Sequence, residues 1–169
     1  GLGDVYKRQG VDIITGGKGI DTISAGDGTD TITGGEGDDI ITGGAGNDII
    51  TGGAGSDTFN VDAGSDTIKD LSASDILVVS SGATANATIS ASYTVTNVTK
   101  NDGTVNLTIG TADLSTDLSL ASGSAGFNIT GSSGADTITA TGKADTFIIA
   151  AAGNANTDTM DGGDGTDVL

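Results

Sequence analysis

Aspartates at a fixed interval are the residues of this chain best suited to do chemistry. They recur every nine residues through the first half, at Asp12, Asp21, Asp30, Asp39, Asp48, Asp57, Asp66 and Asp75. A glycine lies two residues before most of them, and a glycine leaves the backbone carbonyl oxygens around it unshielded. Carboxylate and carbonyl oxygens are the ligands that hard divalent cations prefer. The spacing therefore indicates rows of cation sites.

The composition narrows the possible functions. The chain has 169 residues and a formal charge of −17, and Glu36 is its only Glu. A merely solvated acidic surface would mix Asp and Glu, so the repeated short carboxylate indicates fixed geometry. With only six Lys and Arg, the chain lacks the basic clusters that nucleic-acid binding needs. It has no His and no Cys, which excludes zinc-hydrolase, Ser-His-Asp and Cys-His chemistry, so we predict no catalytic residue here and no enzyme activity.

The elements that must position these aspartates are short loops and strands. In one unit, Gly43–Asp48 predicts a six-residue loop and Ile49–Thr51 a three-residue strand with Ile50 pointing to one face. If two units make one coil of 18 residues, successive coils pair as parallel strands about 4.8 Å apart. Aromatic residues are only 3% of the chain, which favours a stack that buries one aliphatic residue per unit over a conventional core. We therefore predict an all-β solenoid. No apolar stretch reaches the roughly 18 residues of a membrane span, so none is predicted.

The winding of such a coil places the aspartates in two columns. One edge carries Asp12, Asp30, Asp48 and Asp66, and the other carries Asp21, Asp39, Asp57 and Asp75. Stacked carboxylates about 4.8 Å apart repel by roughly 1 kcal/mol at bulk dielectric and roughly 3.5 kcal/mol at an effective dielectric of 20. Two oxygens on opposite sides of a calcium ion lie roughly 4.6–5.2 Å apart, which matches the strand spacing. We therefore predict several Ca²⁺ ions as cofactors and poor folding without them.

The period divides the chain into segments. Residues 10–78 form a first array, and residues 122–169 form a second, more degenerate one whose aspartates are Asp136, Asp145, Asp158 and Asp167. The longer step from Asp145 to Asp158 predicts a four-residue insertion near Ile149–Ala152. Between the arrays, residues 79–121 predict a β-rich insert or irregular coils. Alternating apolar residues on either side of Asp102-Gly103 predict a β-hairpin there, namely Tyr93 and Val95, then Val105, Leu107 and Ile109.

The first nine residues call for separate treatment. Asp4-Val5-Tyr6-Lys7-Arg8-Gln9 is identical to the translation of a transposase-type sequencing adaptor. We therefore interpret residues 1–9 as an adaptor artefact and exclude them from the fold prediction. Because the last unit stops in mid-repeat, the chain is interpreted as a fragment of a longer protein.

Five loops resemble the RTX (repeats-in-toxin) hemolysin-type calcium-binding repeat, Gly-Gly-x-Gly-x-Asp-x-aliphatic-x: Gly16–Asp21, Gly34–Asp39, Gly43–Asp48, Gly52–Asp57 and Gly162–Asp167. The resemblance implies a right-handed parallel β-roll. It also implies that the aspartates and the carbonyls of the loop glycines bind calcium. The metal-site residues it indicates are Asp12, Gly17, Gly19, Asp21, Gly28, Asp30, Gly35, Gly37, Asp39, Gly44, Gly46, Asp48, Gly53, Gly55, Asp57, Asp66, Asp136, Asp158, Gly163, Gly165 and Asp167.

The resemblance also implies a cellular setting. Proteins of this kind are exported unfolded by a type I secretion apparatus and fold when they meet external calcium. The expected function is a calcium-binding, non-catalytic module of a secreted or cell-surface bacterial protein. Two alternatives stay open: the C-terminal tail of a type I-secreted exoenzyme, such as a protease, lipase or polysaccharide-modifying enzyme, or an adhesin repeat region.

Overall fold

The computed structural model describes residues 3–6, 9–95, 99–111, 113–148 and 158–169. Within these ranges the chain consists of strands and turns without a helix, so none of the described residues belongs to a helix able to cross a membrane. All strand pairs between the described elements are parallel. The predicted all-β parallel solenoid is confirmed.

The strands form three sheets, each built by successive turns of the solenoid. The first sheet has seven strands in the order β1 (Asp4–Tyr6), β3 (Thr22–Asp27), β5 (Ile40–Ala45), β7 (Thr58–Val61), β9 (Ile76–Val79), β12 (Lys100–Asn101) and β15 (Ser122–Gly123). The second has eight strands in the order β2 (Ile13–Lys18), β4 (Thr31–Glu36), β6 (Ile49–Ala54), β8 (Ser65–Leu71), β10 (Thr84–Ile89), β13 (Thr104–Ile109), β16 (Phe127–Thr130) and β18 (Thr146–Ile148). The third has four strands in the order β11 (Tyr93–Thr94), β14 (Ser115–Asp117), β17 (Thr137–Thr139) and β19 (Thr159–Asp161).

The first array has the predicted register of two units per coil. Ile14 pairs with Ile32, and Ile32 pairs with Ile50 in the second sheet. Ile23 pairs with Ile41 in the first sheet. Alternate units therefore stack on opposite sides of the solenoid, as expected when a coil spans two repeats.

The core of the array is a double column of aliphatic and aromatic side chains, one per unit. Each of its members is at most 4% exposed: Ile14, Ile23, Ile32, Ile41, Ile50, Phe59, Ile68 and Leu77. The residue before each of them points outward, and Ile40 keeps 44% of its surface exposed. Because side chains alternate along a strand, one apolar residue per unit is enough to fill a narrow core.

The strands are longer than predicted. β6 runs over six residues, because its pairing with β4 continues through Gly35↔Gly53 and Glu36↔Ala54. Gly35 has a φ of 130°, and a Cβ there would collide with the carbonyl oxygen of Gly17 in the preceding coil. Glycine thus lets the backbones of successive coils meet where a side chain would separate them. Only three residues, such as 46–48, then remain to turn the corner before the next strand.

The predicted hairpin in residues 79–121 is wrong, and the segment forms irregular coils. β11 pairs with β14, whereas β13 pairs with β10 and β16, all in parallel. Equivalent residues here lie 20 and 22 positions apart instead of 18. The additional residues include the strands of the third sheet, so these coils acquire a third side. The apolar alternation identified the strands correctly, but it cannot specify which strand each one pairs with.

Two other sequence interpretations stay predictions. β1 lies at the edge of the first sheet with Val5 in register with Ile23, and this pairing leaves open whether residues 1–9 derive from an adaptor. The segment boundaries are likewise not tested by the strand pairing. The insertion predicted near Ile149–Ala152 lies outside the described residues.

Candidate metal centre

The aspartates of the first array form the two predicted columns, and hydrogen bonds connect the members of each. The amide of Asp12 donates to Oδ1 of Asp30 at 2.7 Å, that of Asp30 to Asp48 at 2.8 Å, and that of Asp48 to Asp66 at 3.0 Å. The second column repeats the pattern from Asp21 through Asp39 and Asp57 to Asp75, at 2.8, 2.9 and 2.9 Å. Every carboxylate after the first in each column is therefore held in place by the backbone of the coil before it.

These carboxylates are buried. Asp21, Asp30, Asp39, Asp48, Asp57 and Asp66 are all at most 1% exposed. The cause is local, since each aspartate precedes the core aliphatic by two residues and shares its inward direction. A buried charge is costly unless it is paired, so this placement requires a counter-charge or proton uptake.

One oxygen of most of these carboxylates has no partner. No hydrogen-bond donor among the described residues reaches the buried Oδ2 atoms of Asp21, Asp30, Asp39, Asp48 and Asp66. Leaving a buried polar atom unsatisfied costs about 1–3 kcal/mol, and more when it is charged. Oδ1 thus serves the structure of the column, whereas Oδ2 is available to a cation.

In five units the opening glycine keeps the space in front of Oδ2 clear. A Cβ on Gly16 would lie 2.7 Å from Oδ2 of Asp21 and 2.6 Å from the carbonyl oxygen of Gly34 in the next coil. The same crowding against Oδ2 occurs in other units, for Gly34 with Asp39, Gly43 with Asp48, Gly52 with Asp57 and Gly162 with Asp167. At Gly16 and Gly34, carboxylate and carbonyl oxygens therefore converge, and they form an all-oxygen donor set suited to Ca²⁺.

The electrostatics of the columns favour a bound cation. Burial raises the pKa of Asp57 to about 6 and that of Asp66 to about 7. The hydrogen bond that each carboxylate accepts from a backbone amide lowers its pKa, but by less than burial raises it. The charges of neighbouring aspartates in the column add to the increase. Burial also raises the pKa of Asp39, Asp48 and Asp75. The fold therefore resists full ionisation of its aspartates when no positive charge lies among them.

Side chains alone cannot complete a metal site here. The described part of the chain contains no group of three or more Asp, Glu, His or Cys side chains placed to hold an ion. Backbone carbonyls would have to supply the remaining ligands.

All the predicted loop glycines have positive φ, which only glycine adopts readily: Gly17, Gly19, Gly28, Gly35, Gly37, Gly44, Gly46, Gly53, Gly55, Gly163 and Gly165.

Sequence reasoning missed three equivalent glycines. Gly10 and Gly64 each lie two residues before an aspartate of the columns and have positive φ. Gly26 has a φ of 104° and pairs in register with Gly44. It occupies the second position of the unit that begins at Ala25, and this position could have identified it.

Three aspartates differ from the others because hydroxyl residues satisfy their second oxygen. Asp75 accepts at Oδ2 from the amide of Ser72 at 2.7 Å and from its hydroxyl at 3.1 Å. Asp136 accepts likewise from the amide and hydroxyl of Ser132, at 2.7 and 2.9 Å, and Asp145 from those of Thr141, at 3.0 and 2.8 Å. The sequence prediction treated Asp136 as a ligand and overlooked these hydroxyls, although each stands where the repeat pattern has glycine or a variable residue.

The remaining predicted ligands lie at the less buried parts of the columns. Asp12 is half-buried. Asp158 and Asp167 accept at Oδ1 from the amides of Asp136 and Asp145, at 3.0 Å each. They thus continue the same ladder in the second array, with residues spaced 22 apart.

Comparison with known proteins gives one match. The family model of the RTX calcium-binding nonapeptide repeat matches in four copies, over residues 8–41, 33–68 and 130–169, which together make up more than half of the chain. No curated protein and no solved structure matches.

Proposed function

Because the chain belongs to the RTX calcium-binding nonapeptide repeat family, we propose that it is a structural module whose first array folds when calcium enters its aspartate columns. The observation that carries the proposal is the set of buried, partnerless Oδ2 atoms at Asp21, Asp30, Asp39, Asp48 and Asp66. Calcium supplies there a divalent charge that accepts six to eight oxygen ligands in flexible geometry.

The residues of each site have separate tasks. Oδ1 of the aspartate fixes the carboxylate through the amide of the preceding coil, and Oδ2 faces the ion. The unit-opening glycine keeps side chains away, and the later glycines bring carbonyl oxygens close. The proposed ligands of the first array are the carboxylates of Asp12, Asp21, Asp30, Asp39, Asp48, Asp57 and Asp66 and the carbonyls of Gly17, Gly19, Gly26, Gly28, Gly35, Gly37, Gly44, Gly46, Gly53 and Gly55. In the second array they are Asp158, Gly163, Gly165 and Asp167.

Metal binding and folding are linked in this arrangement. Without a cation, folding must bury carboxylates that repel one another along the column, at roughly 1–3.5 kcal/mol per contact. A cation between coils turns this repulsion into attraction, so its binding energy becomes folding energy. Because the sites exist only in the folded stack, we expect weak, cooperative binding in the range of about 10⁻⁴ to 10⁻³ M.

An affinity in that range would suit an extracellular setting. A module of this kind stays unfolded at low calcium and folds in calcium-rich medium, which is compatible with export as an unfolded chain by a type I secretion apparatus. We therefore propose that the parent is a secreted or cell-surface bacterial protein in which these coils serve as a calcium-gated spacer.

A calcium titration tests the proposal. Far-UV circular dichroism of the full chain is expected to gain β signal cooperatively as calcium rises to millimolar levels, and calorimetry gives the number of ions. Asp48→Asn, which removes the charge at Oδ2, should lower the number of bound ions. Asp38→Asn is the matched control, because Asp38 lies on the surface and its Oδ1 accepts from the amide of Ser56 at 2.8 Å. An unchanged β spectrum in chelator would contradict the proposal.

A further inference from the structure

In the second array, hydrogen bonds from a nearby Ser or Thr satisfy Oδ2 of the aspartate, the atom that a cation is proposed to bind in the first array. At Asp136 and Asp145 both Oδ2 atoms receive an amide and a hydroxyl from the same residue, Ser132 or Thr141. Each hydroxyl also accepts an amide two residues further on, from Gly134 at 3.2 Å and from Lys143 at 3.0 Å. One side chain therefore satisfies the carboxylate and closes the loop around it.

The backbone explains why these two units are capped. In calcium-type units the second residue is a glycine with positive φ, as at Gly35 and Gly44. Ser132 and Thr141 occupy the same position but are not among the residues with positive φ. In this conformation the amide of each points at Oδ2, as the 2.7 and 3.0 Å distances show. The residue at this position thus decides whether protein donors or a cation meet the carboxylate.

The neighbours in the column reinforce the difference. The amide of Phe127 donates to Oδ1 of Asp145 at 2.7 Å. The amide of Leu114 donates to Oδ1 of Asp136 at 3.3 Å. Apolar residues thus replace the aspartate on one side of each carboxylate. Repulsion along the column, which reaches roughly 1–3.5 kcal/mol per contact in the first array, is absent on that side.

We infer that Ser132 and Thr141 substitute for calcium, so that the coils from β13 to β18 fold without metal while those from β2 to β6 require it. The inference rests on the proposed function of the first array and adds which units take the ion. Ser72 provides the same cap for Asp75, at the point where the uncapped units of the first array end. The chain then has two parts with different calcium dependence in one continuous sheet.

Hydrogen exchange read by mass spectrometry on the full chain tests this inference. In chelator, amides of residues 104–148 should stay protected while those of residues 13–54 exchange freely, and millimolar calcium should protect both. If both segments exchange freely in chelator and gain protection together, the inference is overturned and the proposed function stands. If residues 13–54 are already protected in chelator, the proposed function is wrong, and the inference with it.

Removing the caps provides a second test. In the double variant with Ser132→Ala and Thr141→Ala, residues 104–148 should exchange about tenfold faster or more in chelator, because two hydrogen bonds to charged groups are lost. Residues 13–54 should behave as in the unaltered chain. Ser81→Ala is the matched control, since Ser81 is an exposed hydroxyl in a turn. Equal exchange of residues 104–148 in the double variant and the control would overturn the inference.

Discussion

At the scale of single residues, the two oxygens of one aspartate have different tasks. Oδ1 of Asp39 accepts the amide of Asp21 at 2.8 Å and fixes the register of two coils. Oδ2 of the same residue is buried without a donor. The glycine at the start of the unit, Gly34, leaves room in front of this oxygen. The proposed calcium site at Asp39 therefore depends on the missing side chain of Gly34 as well as on the carboxylate.

Gly34→Ala tests the importance of this space. Its Cβ would crowd Oδ2 of Asp39 and lie 2.6 Å from the carbonyl oxygen of Gly52. Ala25 occupies the equivalent position in another unit, so we expect the variant to fold in excess calcium after a small shift of the loop. Overpacking costs about 1–3 kcal/mol, which should raise the calcium midpoint about fivefold or more.

The matched control for this variant is Gly131→Ala in the second array. It occupies the same position of its unit, but its Cβ would lie at an ordinary 3.5 Å from Oδ2 of Asp136. Circular dichroism at increasing calcium concentrations measures both variants. Equal midpoints for the two would show that the clearance in front of Oδ2 is unimportant.

At the scale of the element, each strand contributes one inward side chain to a core only two side chains wide. Ile41 is fully buried between Ile23 and Phe59, which are its partners in the adjacent strands. Ile40 precedes it in β5 and faces outward. Since every coil repeats this arrangement, the apolar contribution to stability is spread evenly along the array, and no large central core exists.

Ile41→Ala and Ile40→Ala should therefore differ sharply. Truncation of the buried Ile41 is expected to cost about 2–5 kcal/mol, because it leaves a cavity that the stacked coils cannot close. The Ile40→Ala variant should lose less than about 1 kcal/mol, since that side chain is 44% exposed. Urea denaturation in saturating calcium measures both. Similar losses would contradict the inward and outward assignment.

At the scale of the whole molecule, charge decides when the solenoid is stable. The chain carries a formal charge of −17. Burial, and to a smaller extent the charge of neighbouring aspartates, raises the pKa of Asp39, Asp48, Asp57 and Asp66 in the columns. Protons and calcium ions are two alternative ways to neutralise them. The stability of the metal-free chain should therefore depend on pH in the direction opposite to that of most acidic proteins.

The predicted pH dependence follows from the raised pKa values. Folding raises the pKa of Asp57 from 3.8 to about 6 and that of Asp66 from 3.8 to about 7. The folded state then binds protons more tightly than the unfolded one, so this contribution is complete below pH 3.8 and disappears as pH rises through about 6–7. In metal-stripped buffer the far-UV β signal should be larger at pH 5 than at pH 8.

Calcium should reverse this order, because protons compete with the ion for the same carboxylates. In millimolar calcium the urea midpoint should be higher at pH 8 than at pH 5. A metal-stripped chain that loses β structure as pH falls from 8 to 5 would contradict the assignment of raised pKa values.

Much of this protein is determined by the sequence alone. The nine-residue period specifies the solenoid, the two aspartate columns and the inward aliphatic of each unit, because every unit has the same local geometry. The columns of Asp12 to Asp66 and of Asp21 to Asp75 follow directly from two units per coil. The oxygen-only donor set and the choice of calcium follow from the residue types.

Tertiary structure decided what depends on neighbouring coils. The hairpin around Asp102 was predicted from local alternation, but β13 pairs with strands 20 and 22 residues away, and β11 pairs with a strand 23 residues away. The same limit hid the roles of Ser132 and Thr141, because a hydroxyl becomes a cap only when the backbone turns its amide onto Oδ2. Local pattern specifies which way a side chain faces, whereas what it meets there depends on residues one coil away, and only the folded stack brings these together.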